Sequence, residues 1–568
     1  MNLRPGIALP ELPLWLVMGS VLLSMGWLLP NHYPPWSTFH MDAWVASVLL
    51  LAAAAVVVAF PGRFAWRGLS AVSAALALLP GLQWAGGLIS LSGTAWIVTA
   101  YVGGFMLATM IGAHWEANRP AQALDALFLA IGIAAIASVG LQLCQWLFLA
   151  LESPWILADN YNRPFANFGQ PNQLATFLVW GLLALGWALR RRQVRPVVAL
   201  GSALFLLFGL ALTASRASWI AIALVVAGSW YWRRLWPYRR YPLAVTALAA
   251  AFAGFVMSVT VLQPYLLGGI PSLPQELTRI AITGENRPAI WIMFLDAAWQ
   301  RPWIGYGWNQ VAEAQLAVAL RHTPKFGVFG QAHNLALDLV LWCGLPLGLA
   351  VTVWVGWWFW RRLQTIASPE NALLMLFLLV ALNHAMLELP LHHAYFLLPV
   401  GLVAGVLDVR VGVRALYSSA HWVMLVLWLV AAAMLSLIVL DYARMEPQYQ
   451  QLRYEWNHIE GPRAQPPDAA LMNQFPEFVR LVQFEPKAGM DAGSLKWLRA
   501  LTQLYPRPAT LLKLAQALAL NGQPDEAAHW LRTVCQVAVA AQCEAVRREW
   551  VERARHDPLL AAVPWPAS

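Results

Sequence analysis

Apolar stretches recur along the first 440 residues, each approaching the roughly 20 residues needed to cross about 30 Å of hydrocarbon. About thirteen such spans are predicted, near residues 14–30, 42–60, 68–81, 93–113, 123–150, 171–189, 196–213, 218–232, 243–268, 333–360, 371–387, 394–408 and 420–441. One long polar stretch, from about Gln275 to Asp338, interrupts them. After Asp441 the pattern breaks, and Tyr442–Ser568 is charged, Pro-containing and helix-rich. Within it, PRPATLLKLAQALALNGQPDEAAHWLRTVCQ reads as helix, turn at Asn521–Pro524, helix. That is either one tetratricopeptide-type hairpin or an ordinary helical pair of a small α-domain. The predicted class is all-α: a polytopic membrane domain over 1–441, including a large loop at about 269–332, and a helical C-terminal domain over 442–568.

Composition agrees with this reading. Of 568 residues, 60% are hydrophobic and 11% charged, with a mean hydropathy of +0.56. A soluble chain would carry about a quarter charged residues. The first apolar stretch lacks a small-residue cleavage site and runs into PNHYPP, so it reads as a retained span. Arg63 and Arg67, Arg119, the Arg190–Arg195 run, Arg233/Arg234 with Arg239/Arg240, Arg361/Arg362 and Arg410/Arg414 fall in alternate loops, which are cytoplasmic by the positive-inside rule. An inside N-terminus and an odd number of spans put the tail outside the cytoplasm. The net charge of +9 is thereby spread over loops that face anionic membrane lipids, which argues against nucleic acid as a partner. Cys144 and Cys343 fall in spans and read as buried hydrophobes. Cys535 and Cys543 can pair in an oxidising compartment if the helix turns between them. No CxxC, HExxH or Gly-rich phosphate loop is present, so neither metal nor nucleotide cofactor is expected.

Outer loops should be poor in arginine, so Arg163, Arg216, Arg279, Arg287, Arg301, Arg321 and Lys325 stand out. In NRPFANFGQPNQLATF, Gln170-Pro171-Asn172-Gln173 opens a helix whose N-terminus can face an anion beside Arg163; alternatively Asn172 only caps that helix. In TASRASW, Arg216 sits at a tight turn between spans, either reaching for headgroups or serving a site. In ENRPAIWIMFLDAAWQRPWIGYGWNQ, Arg287 precedes an amphipathic helix whose Ile290, Trp291, Phe294, Leu295 and Ala298 suggest a face laid on the membrane surface or packed under the loop. His333-Asn334 opens the next span. In NHAMLELPLHHAYFLLPVG, His384, Glu388, His392, His393 and Tyr395 cluster, but Pro390 breaks the helix, which argues against a metal site.

Arginine forks hold pyrophosphate bidentately and a histidine removes a proton near neutral pH. A lipid-linked diphosphate sugar is already activated, so such a set needs no ATP. The six segments PNHYPPWSTFHMD, FANFGQPNQLATFL, LTASRASW, ENRPAIWIMFLDAAWQRPWIGYGWNQ, AHNLALDLVLWCGLPLG and HAMLELPLHHAYFLLP together resemble the O-antigen ligase/polymerase superfamily. They look most like its bacterial protein O-oligosaccharyltransferase branch, which modifies pilins and other periplasmic proteins on Ser or Thr.

The resemblance implies a glycosyltransferase-C-type fold in the inner membrane, with its active site facing the periplasm, and a metal-independent reaction. It implies an undecaprenyl-diphosphate-linked oligosaccharide donor and a periplasmic, pilin-like acceptor protein. By motif, His333 would be the catalytic base and Arg216 and Arg287 the diphosphate ligands. Gln170 and Asn172 would line the site, Arg163 would assist, and Tyr395 would be a further essential residue. The same chemistry could instead serve an O-antigen ligase acting on lipid A-core, or a polymerase. A transporter of lipid-linked sugar is disfavoured, because the sequence shows no clear internal repeat and its polar residues cluster at one membrane edge.

Overall fold

The computed structural model describes residues 13–149, 153–158, 163–266, 287–323 and 327–566, without the side chains of 262–266. Arg279, Lys325 and the part of the polar stretch before Arg287 lie outside the described residues. In chain order the helices are α1 (Leu14–Gly26), α2 (Phe39–Ala59), α3 (Gly68–Ala85), α4 (Ser92–Asn118), α5 (Gln122–Trp146), α6 (Pro171–Arg190), α7 (Pro196–Leu212), α8 (Arg216–Tyr231) and α9 (Tyr241–Leu266). Two short helices, α10 (Arg287–Gln300) and α11 (Val311–Val318), occupy the polar stretch. Then come α12 (Leu335–Thr365), α13 (Pro369–Ala385), α14 (Ala394–Arg410) and α15 (His421–Trp456). The tail holds α16 (Gln474–Gln483), α17 (Ala492–Leu504), α18 (Pro508–Leu520), α19 (Pro524–Val537), α20 (Ala540–His556) and α21 (Pro558–Ala561). A helix therefore meets every predicted apolar stretch. Eight of them, α2 to α6, α9, α12 and α15, are long and apolar enough to cross a bilayer. The chain is an all-α polytopic membrane protein. Its one small sheet among the described residues, β1 (Phe64–Trp66) antiparallel to β2 (Tyr417–Ser419), was not expected. Three-residue strands carry too little alternation to be read from sequence.

The described chain divides into two compact units that interleave along the sequence. One comprises the described residues within Met1–Leu76, Ala100–Glu285 and Gly356–Leu435; the other comprises those within Ala77–Thr99, Asn286–Val355 and Ser436–Ser568. The tail thus shares a unit with the described part of the polar stretch, from Arg287 on. The reason is a common apolar core: Leu316 and Ala319, on and just after α11, are buried with Leu498, Leu511, Leu518, Leu531 and Trp550 of the tail. The tail also reaches the loop before α4, where Asn473 Oδ1 accepts from the Gly93 N–H at 2.8 Å. Cys535 on α19 and Cys543 on α20 are disulfide-bonded across the break between the two helices, with Cα atoms 5.0 Å apart.

In the first unit, close helix approach comes from glycine. Gly401 and Gly405 of α14 face α4, and a Cβ at Gly405 would run into the Thr109 carbonyl; this is the small-xxx-small packing of helices in lipid. Several arginines read as lipid-facing loop cations are instead paired. Arg191 meets Asp125 (3.0 Å), Arg190 meets Glu370 (2.7 Å), Arg362 meets Asp408 (2.8 Å) and Arg410 meets Glu116 (2.7 Å). These carboxylates are mostly buried, and a buried charge needs such a partner.

In the second unit, α12 kinks at Gly344 (φ 80°, ψ 167°). The kink receives the Pro302–Tyr306 turn: Leu345 N–H donates to the Pro302 carbonyl and Tyr306 N–H to the Leu341 carbonyl, each at 2.7 Å. Only glycine fits on either side, since a Cβ at Gly344 would meet the Trp303 carbonyl carbon at 2.5 Å and one at Gly305 the Leu341 carbonyl. Gln83, at the end of α3, adds a clamp, donating to the Trp342 carbonyl (2.8 Å) and accepting from Trp308 N–H (2.9 Å).

Candidate active site

His333 is held from both sides. Before it, Ala332 donates its N–H to Asp338 Oδ1 (2.7 Å) and accepts the Trp291 indole N–H on its carbonyl (3.1 Å). After it, Asn334 Oδ1 caps α12 by accepting from the N–H groups of Ala336 (3.1 Å) and Leu337 (3.2 Å). Between these anchors His333 adopts a left-handed backbone, φ 53°, at a cost of roughly 1–2 kcal/mol for a residue with a Cβ. Strain of this kind persists where the surroundings over-determine it, commonly at functional sites. The imidazole meets the Phe329 ring edge-on, centroids 5.9 Å apart. Phe329 is fixed in turn by Gln315 of α11, which accepts from its N–H (2.8 Å) and donates to the Gly327 carbonyl (2.8 Å).

Arg287 is the first residue of α10, one helical turn before Trp291. The Trp291–Ala332 bond therefore joins the Arg287 end of α10 to the residue preceding His333. Of the two places expected for the apolar face of α10, the protein takes it rather than the membrane surface. Ile290, Met293, Phe294, Ala297 and Ala298 are buried in the protein, whereas Ile292, Leu295 and Trp299 are exposed. Two other outer arginines have structural partners: Arg301 pairs with Glu313 (2.9 Å) and covers Tyr306, and Arg321 pairs with Asp296 (3.6 Å).

The first unit assembles the remaining candidates around the start of α6. Pro171 occupies its first turn, and Gln170 stands at the N-cap with its side chain accepting from Gln173 Nε2 (3.1 Å). Asn172 does not cap. Its Oδ1 accepts from Ser215 Oγ (2.8 Å) and its Nδ2 donates to Glu388 Oε1 (3.2 Å), so it bridges the turn before α8 and the link after α13. Arg216 opens α8 and is exposed. Arg163 does not point away from the protein: it donates to the carbonyls of Thr213 (3.1 Å) and Ala214 (3.5 Å), supporting the turn that presents Arg216.

Tyr395 is fully buried at the start of α14. Its hydroxyl donates to Gln173 Oε1 at 2.6 Å, and Gln173 Nε2 lies 2.9 Å from His393 Nε2. An amide nitrogen only donates, so Nε2 is the acceptor and the imidazole is neutral, with Nδ1–H directed to Thr38 Oγ1 (3.2 Å). Thr38 donates to Asp42 Oδ2 (2.7 Å), and Asp42 Oδ1 accepts the Ala394 N–H. Burial, with His392 and His384 nearby, pushes His393 down to about 3, which keeps it uncharged. His32, likewise pushed to about 4 by burial, lies over Gly169, where φ is 71° and an added Cβ would stand only 3.0 Å from His32 Nδ1.

The structure thus groups Arg163, Gln170, Asn172, Arg216 and Tyr395 in one unit, and Arg287 and His333 in the other. Sequence reasoning had passed over Thr38, Asp42 and Ser215, and had noted Gln173, Glu388 and His393 without giving them a role at the site. Asp42 carried a usable signal, a carboxylate inside an otherwise apolar stretch; the others are visible only through their partners.

Comparison with known proteins follows the same motifs. Residues 164–189 match the model described as protein glycosylation ligase, residues 201–352 that described as O-antigen ligase, and residues 371–542 that described as virulence factor membrane-bound polymerase, C-terminal. The general O-oligosaccharyltransferase of Acinetobacter baylyi is 28% identical over 533 residues, covering 90% of each chain. The ComP-specific O-oligosaccharyltransferase of the same organism is 27% identical over 265 residues, covering 46% of this chain and 47% of that one. Arg216, Arg287 and His333 lie within the O-antigen ligase match, and Gln170 and Asn172 within the glycosylation ligase match. Over nine-tenths of its length the chain is thus similar to a bacterial general O-oligosaccharyltransferase, and its segments match protein glycosylation and O-antigen ligase families.

Proposed function

We propose that this protein transfers an oligosaccharide en bloc from undecaprenyl diphosphate to Ser or Thr hydroxyls of periplasmic proteins, pilin-like proteins among them. His333 takes the proton of the acceptor hydroxyl, whose oxygen attacks the anomeric carbon as the bond to the diphosphate breaks. Arg287 and Arg216 take up the negative charge that develops on the leaving diphosphate. No metal enters this scheme. The observation that carries it is the Trp291–Ala332 bond, which sets a helix beginning with Arg287 against a strained, capped His333. Arg163, Gln170, Asn172 and Tyr395 hold position: each is tied into the turn before α8 or the start of α6.

In this reading all thirteen apolar helices cross the inner membrane in a glycosyltransferase-C-type arrangement, and the active face is periplasmic. A disulfide in the tail supports an oxidising compartment on that side. The α18–α19 pair serves as a tetratricopeptide-like hairpin within the tail.

The test is transfer by the purified protein in proteoliposomes, supplied with an undecaprenyl-diphosphate glycan and offered either a Ser/Thr acceptor protein or lipid A-core. Glycan on the protein supports the proposal. Glycan on lipid A-core alone would replace it with the ligase reading, which the O-antigen ligase match over residues 201–352 keeps in view.

A further inference from the structure

The turn after α10 sets a depth. Its bonds to Leu341 and Leu345 fasten it at the Gly344 kink of α12. From Leu345 to Thr365 the helix rises roughly 30 Å at 1.5 Å per residue, the hydrocarbon thickness of a bilayer. Along that segment Leu349, Val353, Trp357 and Trp360 form a single exposed apolar stripe. A span that ends at the kink leaves the fastened turn at the edge of the bilayer.

From this turn and from the outer face of α10 project five large apolar side chains. Ile292, Leu295 and Trp299 follow helical spacing and are 60%, 48% and 69% exposed; Trp303 and Ile304 on the turn are 78% and 62% exposed. The opposite face of the same helix is packed into the protein, so these residues are not a displaced core. Arg301 and Arg321, whose side chains are 44% and 62% exposed, add cations suited to phosphate headgroups. Tryptophans with arginines beside them at the end of a span are the composition of a membrane–water boundary.

We propose that Ile292, Leu295, Trp299, Trp303 and Ile304 form a lipid anchor that enters the headgroup–acyl boundary of the bilayer. Its occupant is the lipid surface itself, continuous with the lipid-facing stripe of α12, and it keeps α10 and the His333 loop at membrane level. The anchor does not depend on the reaction proposed above.

The experiment places a nitroxide at Ile292→Cys, Trp299→Cys or Trp303→Cys, each in a Cys144→Ser, Cys343→Ala background of the full chain in lipid nanodiscs. Collision with lipid-soluble oxygen is compared with collision with a water-soluble nickel chelate. Trp357→Cys supplies the lipid reference and Arg555→Cys the aqueous one. The oxygen-to-nickel ratio at all three sites should match Trp357→Cys and exceed Arg555→Cys several-fold. A ratio equal to that of Arg555→Cys would overturn the anchor. So would labels that exclude both reagents, because that would mean a protein covers this face.

Discussion

Replacing Gly344 by alanine should unseat the loop that carries the candidate base. The native backbone there, φ 80° and ψ 167°, lies in a region essentially confined to glycine, so any Cβ adds about 1–3 kcal/mol of strain. The new methyl would also stand 2.5 Å from the Trp303 carbonyl carbon and 2.8 Å from the Ile304 nitrogen. Both are backbone atoms that cannot rotate away. Relief requires the Pro302–Tyr306 turn to retreat, breaking its two bonds to α12 at about 1 kcal/mol each. The total is about 3–5 kcal/mol, concentrated on one turn. Gly356 in the same helix has nothing within 4 Å of its would-be Cβ, so alanine there should stabilise by up to about 1 kcal/mol. Thermal unfolding in nanodiscs, with glycan transfer measured on the same samples, compares the two. Gly344→Ala should lower the melting temperature and transfer, while Gly356→Ala leaves transfer unchanged. Equal melting temperatures for Gly344→Ala and wild type would refute the interlock.

Tyr395→Phe keeps the ring and removes the buried hydroxyl, costing about 2 kcal/mol through the abandoned Gln173 carbonyl; transfer should fall by less than tenfold, and its abolition without loss of thermal stability would mean that the hydroxyl touches substrate. Leu316→Asp puts a carboxylate into the tail's apolar core, at a cost of at least about 3 kcal/mol. It should expose the tail to protease and, through Gln315 and Phe329, lower transfer; an intact tail with full activity would contradict that coupling. His393 also makes stability depend on pH. Its folded pKa is about 3 against an ordinary 6.5, so the unfolded chain takes up the proton first. This stabilising contribution is complete above pH 6.5 and erodes as pH falls, by about 2 kcal/mol at pH 5. His393→Gln should therefore flatten the fall in melting temperature between pH 7 and 5, and an unchanged slope would count against a neutral, buried His393.

The helices were legible because runs of about 20 apolar residues have one common solution in a bilayer. The Pro390 break was also readable, since it follows from local backbone rules, whereas the Cys535–Cys543 pairing was open until the helix break between them was seen. What escaped depends on partners distant in sequence. Asn172 looks like a cap, yet its partners are Ser215 and Glu388, 43 and 216 residues away. Arg163 looks like a ligand for an anion, and nothing in sequence shows that it also donates to the carbonyls of Thr213 and Ala214, 50 and 51 residues away. Which of its two expected partners the apolar face of α10 meets stayed open, because Ile290, Ile292, Met293, Phe294 and Leu295 make the helix apolar on both sides, leaving periodicity nothing to choose between. The tail looked like a separate domain because no composition signal shows Leu316 and Ala319 completing its core.

The central claim is that His333 is the base that activates the acceptor hydroxyl. Its most direct test is single-turnover glycan transfer by His333→Ala in proteoliposomes, at saturating lipid-diphosphate donor and with donor binding measured in parallel. A general base contributes about 10²–10⁴-fold, so the rate should fall within that range while donor affinity stays as in wild type. Transfer at a rate within a few-fold of wild type would contradict the account.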